Sequence, residues 1–268
     1  MPELPEVETT RRGIRERLEG KTLEAVVVRE IRLRWPVSLP SNISGQRLDT
    51  ISRRAKYLLF EFELGTLILH LGMSGKLILV KEDTPLRPHD HVDLVFEDRR
   101  VLRFNDPRRF GSIHWQPLGS HHKLIANLGP EPLSADFDTD YLFTVARKRK
   151  TAIKNLIMDS RVVAGVGNIY ANEALFRSGI RPRRSCRRVS RAEIRTLSCS
   201  IKQTLCDALD AGGTTIRDFQ SVDGSQGYFK VNLRVYGREG LPCTTCETPI
   251  KRITSAQRQT VYCPKCQS

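Results

Sequence analysis

The segment CTTCETPIKRITSAQRQTVYCPKC, residues 243–266, contains two Cys-x2-Cys pairs separated by sixteen residues. Each pair lets two thiolates face one ion from a single turn, and four thiolates at this separation are typical of a tetrahedral zinc site. Two disulfides or four free thiols are the alternatives. The pattern predicts one structural Zn²⁺ per chain, held with no open position for water. Its ligands would be Cys243, Cys246, Cys263 and Cys266.

The residues between the two cysteine pairs are basic, with Lys251, Arg252 and Arg258 among them. A zinc-bound hairpin with an arginine at its tip is suited to contacting phosphate. A solvated run of charge is the alternative interpretation of the same residues. The finger by itself therefore predicts a small stapled module and does not indicate an enzyme.

Charge is distributed unevenly along the 268 residues, which carry 44 Lys+Arg against 30 Asp+Glu, a net charge of +14. Residues 1–137 hold 21 basic and 19 acidic residues, whereas residues 138–268 hold 23 and 11. A positive excess concentrated in one half favours an electrostatic surface for a polyanion, and nucleic acid is the expected partner.

Several classes of protein are disfavoured by composition. No apolar run approaches the roughly 18 residues of a membrane span, and the first twenty residues lack the apolar region of a secretory signal. Seven cysteines, an odd number, disfavour a disulfide scaffold and favour a reducing compartment. Cys186, Cys199 and Cys206 lack metal-ligand spacing, and the last two, seven apart on a predicted helix, are expected in the core.

The N-terminal half is predicted to be a β-sandwich preceded by one helix. Leu4, Val7, Ile14 and Leu18 share a helical stripe, and Gly20 is a suitable stop, so residues 5–19 are predicted to be helical. Six strand-like segments follow, punctuated by Gly, Pro, Asn and Asp. These are LEAVVVREI, YLLFEFEL, TLILHL, KLILV, HVDLVF and VLRFND.

The C-terminal half changes to helical periodicity after NLGPEPLSADFD (127–138), a Pro-, Gly- and acid-rich candidate linker. AIKNLIMD predicts a short helix, and NIYANEALFRSGI predicts another that ends at Gly179. Residues 190–210 predict a long helix with Ser190 as N-cap. The last thirty residues are predicted to form a small β-element. The fold class is thus α+β, with a sandwich followed by a helical domain and a zinc finger.

Four short segments have functional interpretations that the residues alone leave open. GVGN (165–168) could present backbone N–H groups to phosphate, or form a tight interhelix turn. HLGMSGK (70–76) and DPRRFG (106–111) place Met73 and Phe110 on loops. Both side chains are expected to be buried turn residues, and the alternative is a wedge that fills the space left by an extruded base. HDH (89–91) lacks a third ligand, so strand-end structure is favoured over a metal site.

Taken together, these segments resemble the formamidopyrimidine-DNA glycosylases, bacterial base-excision enzymes for oxidised purines. The resemblance covers the whole chain through PELPEVET, RRAKYL, HLGMSGK, DPRRFG, LGPEPL, GVGNIYANEALF, GGTT and the four-cysteine finger. It implies a catalytic sandwich domain (1–130), a linker (131–137), a helix-two-turn-helix domain (138–236) and a zinc finger (237–268).

The resemblance also implies a role for the first residues. The initiator Met would be removed, and the secondary amine of Pro2 would attack C1′ of the damaged nucleotide, giving an iminium that permits β- and δ-elimination. A terminal amine has a pKa near ~8, so part of it is neutral in the cell. Glu3 would be the general acid/base. Glu6 would support the site by hydrogen bonding, or serve only as a first-turn carboxylate.

The remaining site residues follow from the same resemblance. Lys56 would reach into the pocket and the adjacent phosphate. His70, Asn168, Tyr236 and Arg258 would grip phosphates around the flipped nucleotide. Met73, Arg108 and Phe110 would form the intercalating triad, with Arg108 facing the orphaned cytosine and Arg109 the neighbouring candidate. Lys154 and the loop at 214–229 would contribute to base recognition.

The expected partner is damaged double-stranded DNA, bound by a monomer in the bacterial cytoplasm at the nucleoid. Two alternatives remain. The endonuclease VIII-like sister branch prefers oxidised pyrimidines, but Leu4 and the split triad argue against it. A non-catalytic DNA-binding protein would explain the charge and the finger, yet gives no reason for Pro2-Glu3 or Lys56.

Overall fold

The structure is a computed structural model that describes residues 1–212 and 233–268. By compactness the chain divides into two units, the first built on Met1–Ala126 and the second on residues 127–211 together with 233–268. The predicted α+β class is confirmed, with sheets in the first unit, and helices and the four-cysteine finger in the second. The loop at 214–229 lies outside the described residues, and the domain boundaries at 130, 137 and 236 stay predictions.

Helix α1 (Leu4–Leu18) opens the first unit, within one residue of its predicted bounds at each end. Leu4, Val7, Ile14 and Leu18 are all buried, as their common stripe predicts. Pro5 lies in the first turn, where its missing N–H costs no helical hydrogen bond. Gly20 ends the segment at a φ of +82°, a left-handed conformation that favours glycine.

Eight strands form two antiparallel four-stranded sheets that share one hydrophobic core. In chain order they are β1 (Leu23–Val28), β2 (Leu48–Arg54), β3 (Tyr57–Phe62), β4 (Gly65–His70), β5 (Lys76–Lys81), β6 (Asp90–Phe96), β7 (Arg100–Asn105) and β8 (Ser112–Pro117). One sheet has the order β1-β6-β7-β5 and the other β2-β3-β4-β8. Residues of α1 complete this core, so the start of the chain is anchored to the sandwich. A short helix, α2 (Lys123–Ala126), ends the unit.

The six predicted strands are all present, and β2 and β8 are two that the sequence did not indicate. Each of these two lacks a continuous apolar signal. In β2 only Leu48 and Ile51 are buried, and in β8 only Ser112 and Ile113 are. Their pairing with β3 and β4 supplies backbone hydrogen bonds that local composition does not encode.

The second unit contains α3 (Thr139–Arg147), α4 (Ile153–Met158), α5 (Asn168–Arg177) and α6 (Arg191–Asp210). Helix α6 begins at the predicted cap, because the Ser190 hydroxyl accepts from the Glu193 N–H. Helix α3 was not predicted; its N-cap, Asp138, is the last residue of the candidate linker and accepts from the Tyr141 N–H at 2.7 Å.

The expectation that Cys199 and Cys206 lie in the core is wrong. Cys199 is exposed and Cys206 is half-buried. Residues seven apart do share a helix face, but the buried face of α6 runs through Ile194, Leu197 and Ile201 instead.

The C-terminal element is the hairpin β9 (Lys251–Ser255) and β10 (Arg258–Tyr262). Ala256 and Gln257 join the strands with φ values of +46° and +58°, as a two-residue hairpin turn of the primed type requires. Strand β10 packs against α5. Within the described ranges, no helix has both the length and the apolar character to cross a membrane.

Candidate functional site

The predicted nucleophile and general acid/base lie at the start of α1. Pro2 and Glu3 are both buried. The Glu6 carboxylate, fully buried, accepts the backbone N–H of Glu3 at 2.8 Å. This bond satisfies one of the unpaired N–H groups at a helix start and fixes the peptide that joins Pro2 to Glu3. The bond is that of a capping box at the helix start, so a first-turn role explains it as well as support of the site does, and the supporting role of Glu6 stays a prediction. Pro2 would need the loss of Met1 to have a free amine.

A second carboxylate on α1, Glu8, links the helix to the turn that holds Lys56. It binds the guanidinium groups of Arg11 at 2.8 Å and Arg53 at 3.1 Å. Burial disfavours its charge, but hydrogen bonds from Arg11 and Arg12 outweigh that effect and lower its pKa to about 2. Arg53 also donates to the Ala55 carbonyl at 2.8 Å, directly before Lys56. Sequence reasoning did not identify Glu8, since a lone Glu in a helix resembles any solvated residue.

Lys56 and His70 are brought together by the pairing of β3 with β4. Tyr57, next to Lys56, is opposite His70, and their rings are 4.8 Å apart. The Nδ1 of His70 accepts the Gly72 N–H at 2.9 Å. Burial, and then the charges of Lys56 and Arg34, lower the pKa of His70 to about 4. His70 is therefore neutral near pH 7, with its proton on Nε2 as a hydrogen-bond donor.

The two loops with candidate wedge residues expose apolar side chains. Met73 is 37% exposed and Phe110 is 41% exposed, so the expectation that they are buried turn residues is wrong. The Arg108 guanidinium carbon lies 4.8 Å from the centre of the Phe110 ring. Arg109 adopts a φ of +55° and binds Glu30 at 3.2 Å. Arg108, and not Arg109, thus shares a surface with Phe110, which favours Arg108 as the member of the triad.

The HDH segment belongs to the structural framework, in agreement with its strand-end interpretation. His91 is buried, and its Nε2 donates to the Asp106 carbonyl at 2.9 Å. His89 is exposed, with a φ of +73°. The two imidazoles therefore do not form a shared metal site.

In the second unit, Lys154 is buried with 1% of its surface exposed. Its ammonium donates to Asn168 Oδ1 at 2.6 Å, Thr260 Oγ1 at 2.7 Å and the Gln259 carbonyl at 3.0 Å. Base recognition by Lys154 stays a prediction. These three hydrogen bonds join Asn168, the first residue of α5, to strand β10 next to Arg258.

Two further buried residues of α5, Asn172 and Glu173, extend this connection. Asn172 donates to the Asn168 carbonyl at 2.6 Å and accepts the Val261 N–H at 3.1 Å. Glu173 accepts the backbone N–H groups of residues 234–236, including that of Tyr236 at 2.8 Å. Asn168, Arg258 and Tyr236 thus sit on three segments that buried hydrogen bonds join. Neither Asn172 nor Glu173 was singled out from sequence, because a buried polar residue leaves no periodic signal.

The four predicted zinc ligands converge. Their sulfur atoms all lie within 4.8 Å of one another, and three of the pairs are separated by 3.4, 3.5 and 3.9 Å. A tetrahedron with Zn–S bonds of about 2.3 Å has sulfurs ~3.8 Å apart. A disulfide would need about 2.05 Å, so the disulfide alternative does not fit. Backbone N–H groups of Thr245 and Cys266 point at Cys243 and Cys263 sulfurs, each at 3.4 Å. This donor set suits a structural zinc ion.

Along the chain, a β-sandwich entered by a helix is followed by a helical unit and a four-cysteine finger whose donor set suits zinc. Three family models match the chain in order. They are the formamidopyrimidine-DNA glycosylase N-terminal domain at residues 1–113, the H2TH domain of the same enzymes at 128–220, and the zinc finger found in FPG and IleRS at 240–268. The chain belongs to the formamidopyrimidine-DNA glycosylase family and is an enzyme of base excision repair.

Curated relatives and solved structures agree over the full length. The formamidopyrimidine-DNA glycosylases of Thioalkalivibrio sulfidiphilus and Marinobacter nauticus are 57% and 52% identical, each covering 100% of both chains. The crystal structure of MutM (Fpg) from Thermus thermophilus matches at 40% identity with a TM-score of 0.90, over 99% of this chain and 98% of that one. Lactococcus lactis Fpg in complex with abasic-site DNA matches at 33% identity and 0.91, over 100% of both.

Proposed function

We propose that the chain is a bifunctional glycosylase and lyase that excises 8-oxoguanine and formamidopyrimidines from duplex DNA. The observation that carries this proposal is the fixed Pro2-Glu3 peptide, held by Glu6 at the buried start of α1. Lesions of these classes occur in the DNA of related structures, one with carbocyclic 8-oxo-G and one with Fapy-dG, each matching at 34% identity.

The chemistry starts from the amine that Pro2 has once Met1 is removed. Its lone pair forms a bond to C1′ as the glycosidic bond to the damaged base breaks, and Glu3 protonates the ring oxygen as the sugar opens. Because the amine is secondary, the resulting iminium carries a fixed positive charge, which acidifies the 2′ proton. Loss of that proton expels the 3′ phosphate, and a second elimination expels the 5′ phosphate.

Polar side chains that the resemblance assigns to DNA binding in each unit are suited to contacting phosphates. Lys56 has a charged ammonium, and neutral His70 has an Nε2–H donor. Asn168 and Tyr236 are held by hydrogen bonds to Lys154 and Glu173 respectively. Arg258 is next to Gln259, whose carbonyl also binds Lys154. The cysteines Cys243, Cys246, Cys263 and Cys266 hold one Zn²⁺, which fixes the hairpin bearing Arg258 and takes no part in bond breaking. Five phosphate contacts would lose roughly 500-fold in affinity between 50 and 200 mM salt.

Borohydride trapping tests the proposal directly. The processed protein is mixed with an abasic-site duplex and reduced, and the adduct is mapped by mass spectrometry. We expect one covalent adduct on Pro2, and strong loss of base release and trapping in Pro2→Gly and Glu3→Gln. Full activity of Pro2→Gly, or an adduct at a lysine only, would contradict the mechanism. Wild-type-like binding of both variants to a tetrahydrofuran duplex serves as the control for folding.

Substrate preference is tested separately. Cleavage of 8-oxoguanine opposite cytosine is compared with cleavage of thymine glycol opposite adenine, and faster cleavage of the first is expected. The reverse preference would place the activity with the pyrimidine-specific sister branch. The proposal also includes a monomeric enzyme acting on the bacterial chromosome in the cytoplasm, and sedimentation with and without DNA measures the oligomeric state.

A further inference from the structure

Asp106 is a buried carboxylate that the proposed chemistry does not use. It follows β7 directly, opens the DPRRFG loop, and has no exposed surface. An ionisable side chain is rarely buried so fully unless several groups bind it. The groups that bind it therefore indicate what it does.

Both carboxylate oxygens accept hydrogen bonds from the two loops that bear the candidate wedge residues, 70–76 and 106–111, called the wedge loops below. Oδ1 accepts the Ser74 hydroxyl at 2.6 Å and the Arg108 N–H at 3.3 Å. Oδ2 accepts the Gly111 N–H at 2.8 Å. Ser74 follows Met73 in the chain, and Gly111 follows Phe110. One carboxylate thus contacts Arg108 itself and the immediate neighbours of the other two wedge residues.

The main chain of Asp106 is equally fixed. Its carbonyl accepts from His91 Nε2 at 2.9 Å and from the Arg109 N–H at 3.1 Å, and its own N–H donates to the His89 carbonyl at 3.1 Å. These bonds attach Asp106 to strand β6 and to its own loop. The carboxylate is therefore a rigid reference point and not a mobile side chain.

The two loops also touch through glycines. A Cβ on Gly72 would lie 2.4 Å from the Gly111 nitrogen, and one on Gly111 would lie 2.8 Å from the His70 carbonyl. Close packing of the two backbones fixes the distance between the loops. The hydrogen bonds to Asp106 fix how one loop is placed along the other. The exposed side chains of Met73, Arg108 and Phe110 project from this frame.

We propose that Asp106, acting with Ser74, is a positioning residue that sets the spacing of the wedge before DNA binds. The inference rests on the proposed function and on the role that the family resemblance implies for Met73, Arg108 and Phe110, which would fill the duplex when the damaged nucleotide leaves it. A frame that is already in place removes the ordering cost that the loops would otherwise incur on binding. Asp106 itself touches no substrate atom.

The test compares two substrates within each variant. One duplex has 8-oxoguanine opposite cytosine, and the other has it opposite a tetrahydrofuran residue, which leaves no orphaned base for the wedge to contact. Single-turnover cleavage rates are measured on both for Asp106→Asn, Ser74→Ala and wild type. A general loss of folded protein lowers both rates equally, so the ratio of the paired to the base-less rate reports on the wedge alone.

We expect Asp106→Asn to lower this ratio about tenfold and Ser74→Ala about threefold, as loss of one or more hydrogen bonds to a charged group predicts. Asp93→Asn is the matched control. Asp93 is a buried carboxylate of the same unit that pairs with Arg29 and Arg103, away from both loops, and its substitution leaves the ratio unchanged.

Phe110→Ala separates failure of this inference from failure of the proposed function. A lowered ratio in Phe110→Ala with wild-type ratios in Asp106→Asn and Ser74→Ala would overturn the positioning role and leave the wedge intact. An unchanged ratio in Phe110→Ala would overturn the wedge, and the inference with it. Should Asp106→Asn fail to fold, Ser74→Ala decides by itself, because it keeps the carboxylate and its bond to Gly111.

Discussion

The two units, each taken by itself, use buried side chains of opposite charge to hold residues that are predicted to contact DNA. In the sandwich, the Asp106 carboxylate collects the N–H and O–H donors of two loops. In the helical unit, the Lys154 ammonium collects the oxygens of α5 and β10. Asp106 and Lys154 are both buried, and each is hydrogen-bonded to a residue that is predicted to contact DNA, Arg108 and Asn168 respectively. Loop side chains can be held at a surface by satisfying backbone and hydroxyl groups around one buried ion.

The frame of hydrogen bonds around Asp106 and the one around Lys154 differ in the other interactions that stabilise them. The wedge loops rely on glycine packing around Asp106, whereas the finger has four thiolates in addition to Lys154. The finger is a short hairpin that could not fold by itself, because small units bury too little apolar surface. We therefore expect the structure around Lys154 and the finger to depend on bound metal, and the structure around Asp106 to depend on close packing of the backbone.

Removal of zinc has the largest expected effect. Structural zinc contributes roughly 10–16 kcal/mol to the folding of finger peptides. Chelation, or Cys246→Ser, should release the ion and lower affinity for a tetrahydrofuran duplex by about a hundredfold or more, since Arg258 loses its support. Zinc content and fluorescence anisotropy measure the two losses together. Cys199→Ser, which changes an exposed cysteine outside the cluster, should leave both at wild-type values.

Substitution of Lys154 has the next largest effect. In Lys154→Met the unbranched side chain is one heavy atom shorter and has no ammonium, so Asn168, Gln259 and Thr260 lose this donor. We expect the free energy of unfolding to fall by about 3–4 kcal/mol, because buried acceptors without partners are costly. Denaturant titration measures the change. Lys150→Met, on an exposed lysine of the same unit, should stay within about 0.5 kcal/mol of wild type. An equal loss in both variants would contradict the framing role.

Steric disruption of the loops around Asp106 is expected to lower the free energy of unfolding by less than the substitution of Lys154 does. Gly72→Ala places a methyl group against the backbone of Phe110 and Gly111 at a φ of +66°. We expect a loss of about 2–3 kcal/mol in unfolding free energy, from overpacking and strain combined. Gly45→Ala isolates the strain, because Gly45 has a φ of +84° with nothing within 4 Å. If both variants lose the same amount, the loops are not closely packed.

His70 contributes a dependence of stability on pH that is confined to acidic conditions. Its pKa falls from an ordinary value of 6.5 to about 4 in the folded chain. Between these values the unfolded state binds more protons, so stability from His70 is complete above about pH 6.5 and is lost as pH falls toward 4. Urea titrations across this range should show a steeper decline for wild type than for His70→Gln. Parallel profiles would contradict the lowered pKa.

Sequence reasoning identified the features that have local patterns. Cysteine spacing located the metal ligands, the stripe on α1 located the buried N-terminus, and Ser190 located the start of α6. The strands of the sandwich were evident wherever apolar residues ran together. Each of these signals is carried by residues close in sequence, so no knowledge of the fold was needed.

The features that sequence reasoning missed depend on distant partners. Strands β2 and β8 are stabilised by their neighbours in the sheet more than by their own composition. Asp106 meets Ser74 across 32 residues, and Lys154 meets Thr260 across 106. A buried carboxylate or ammonium cannot be told from a solvated one until the chain closes around it. The exposed Met73 and Phe110 were misjudged for the same reason.

The enclosed start of α1 has a consequence for the order of events in the cell. Pro2 and Glu3 are buried, and the Glu3 N–H is bonded to Glu6. Met1 is half-buried, and a peptidase that removes it would have to bind the buried Pro2 and Glu3 that follow. On the proposed mechanism, we therefore expect maturation to be faster before folding than after it. On the same mechanism, a molecule that folds with Met1 in place would have an amide at Pro2 instead of the free amine that the reaction needs.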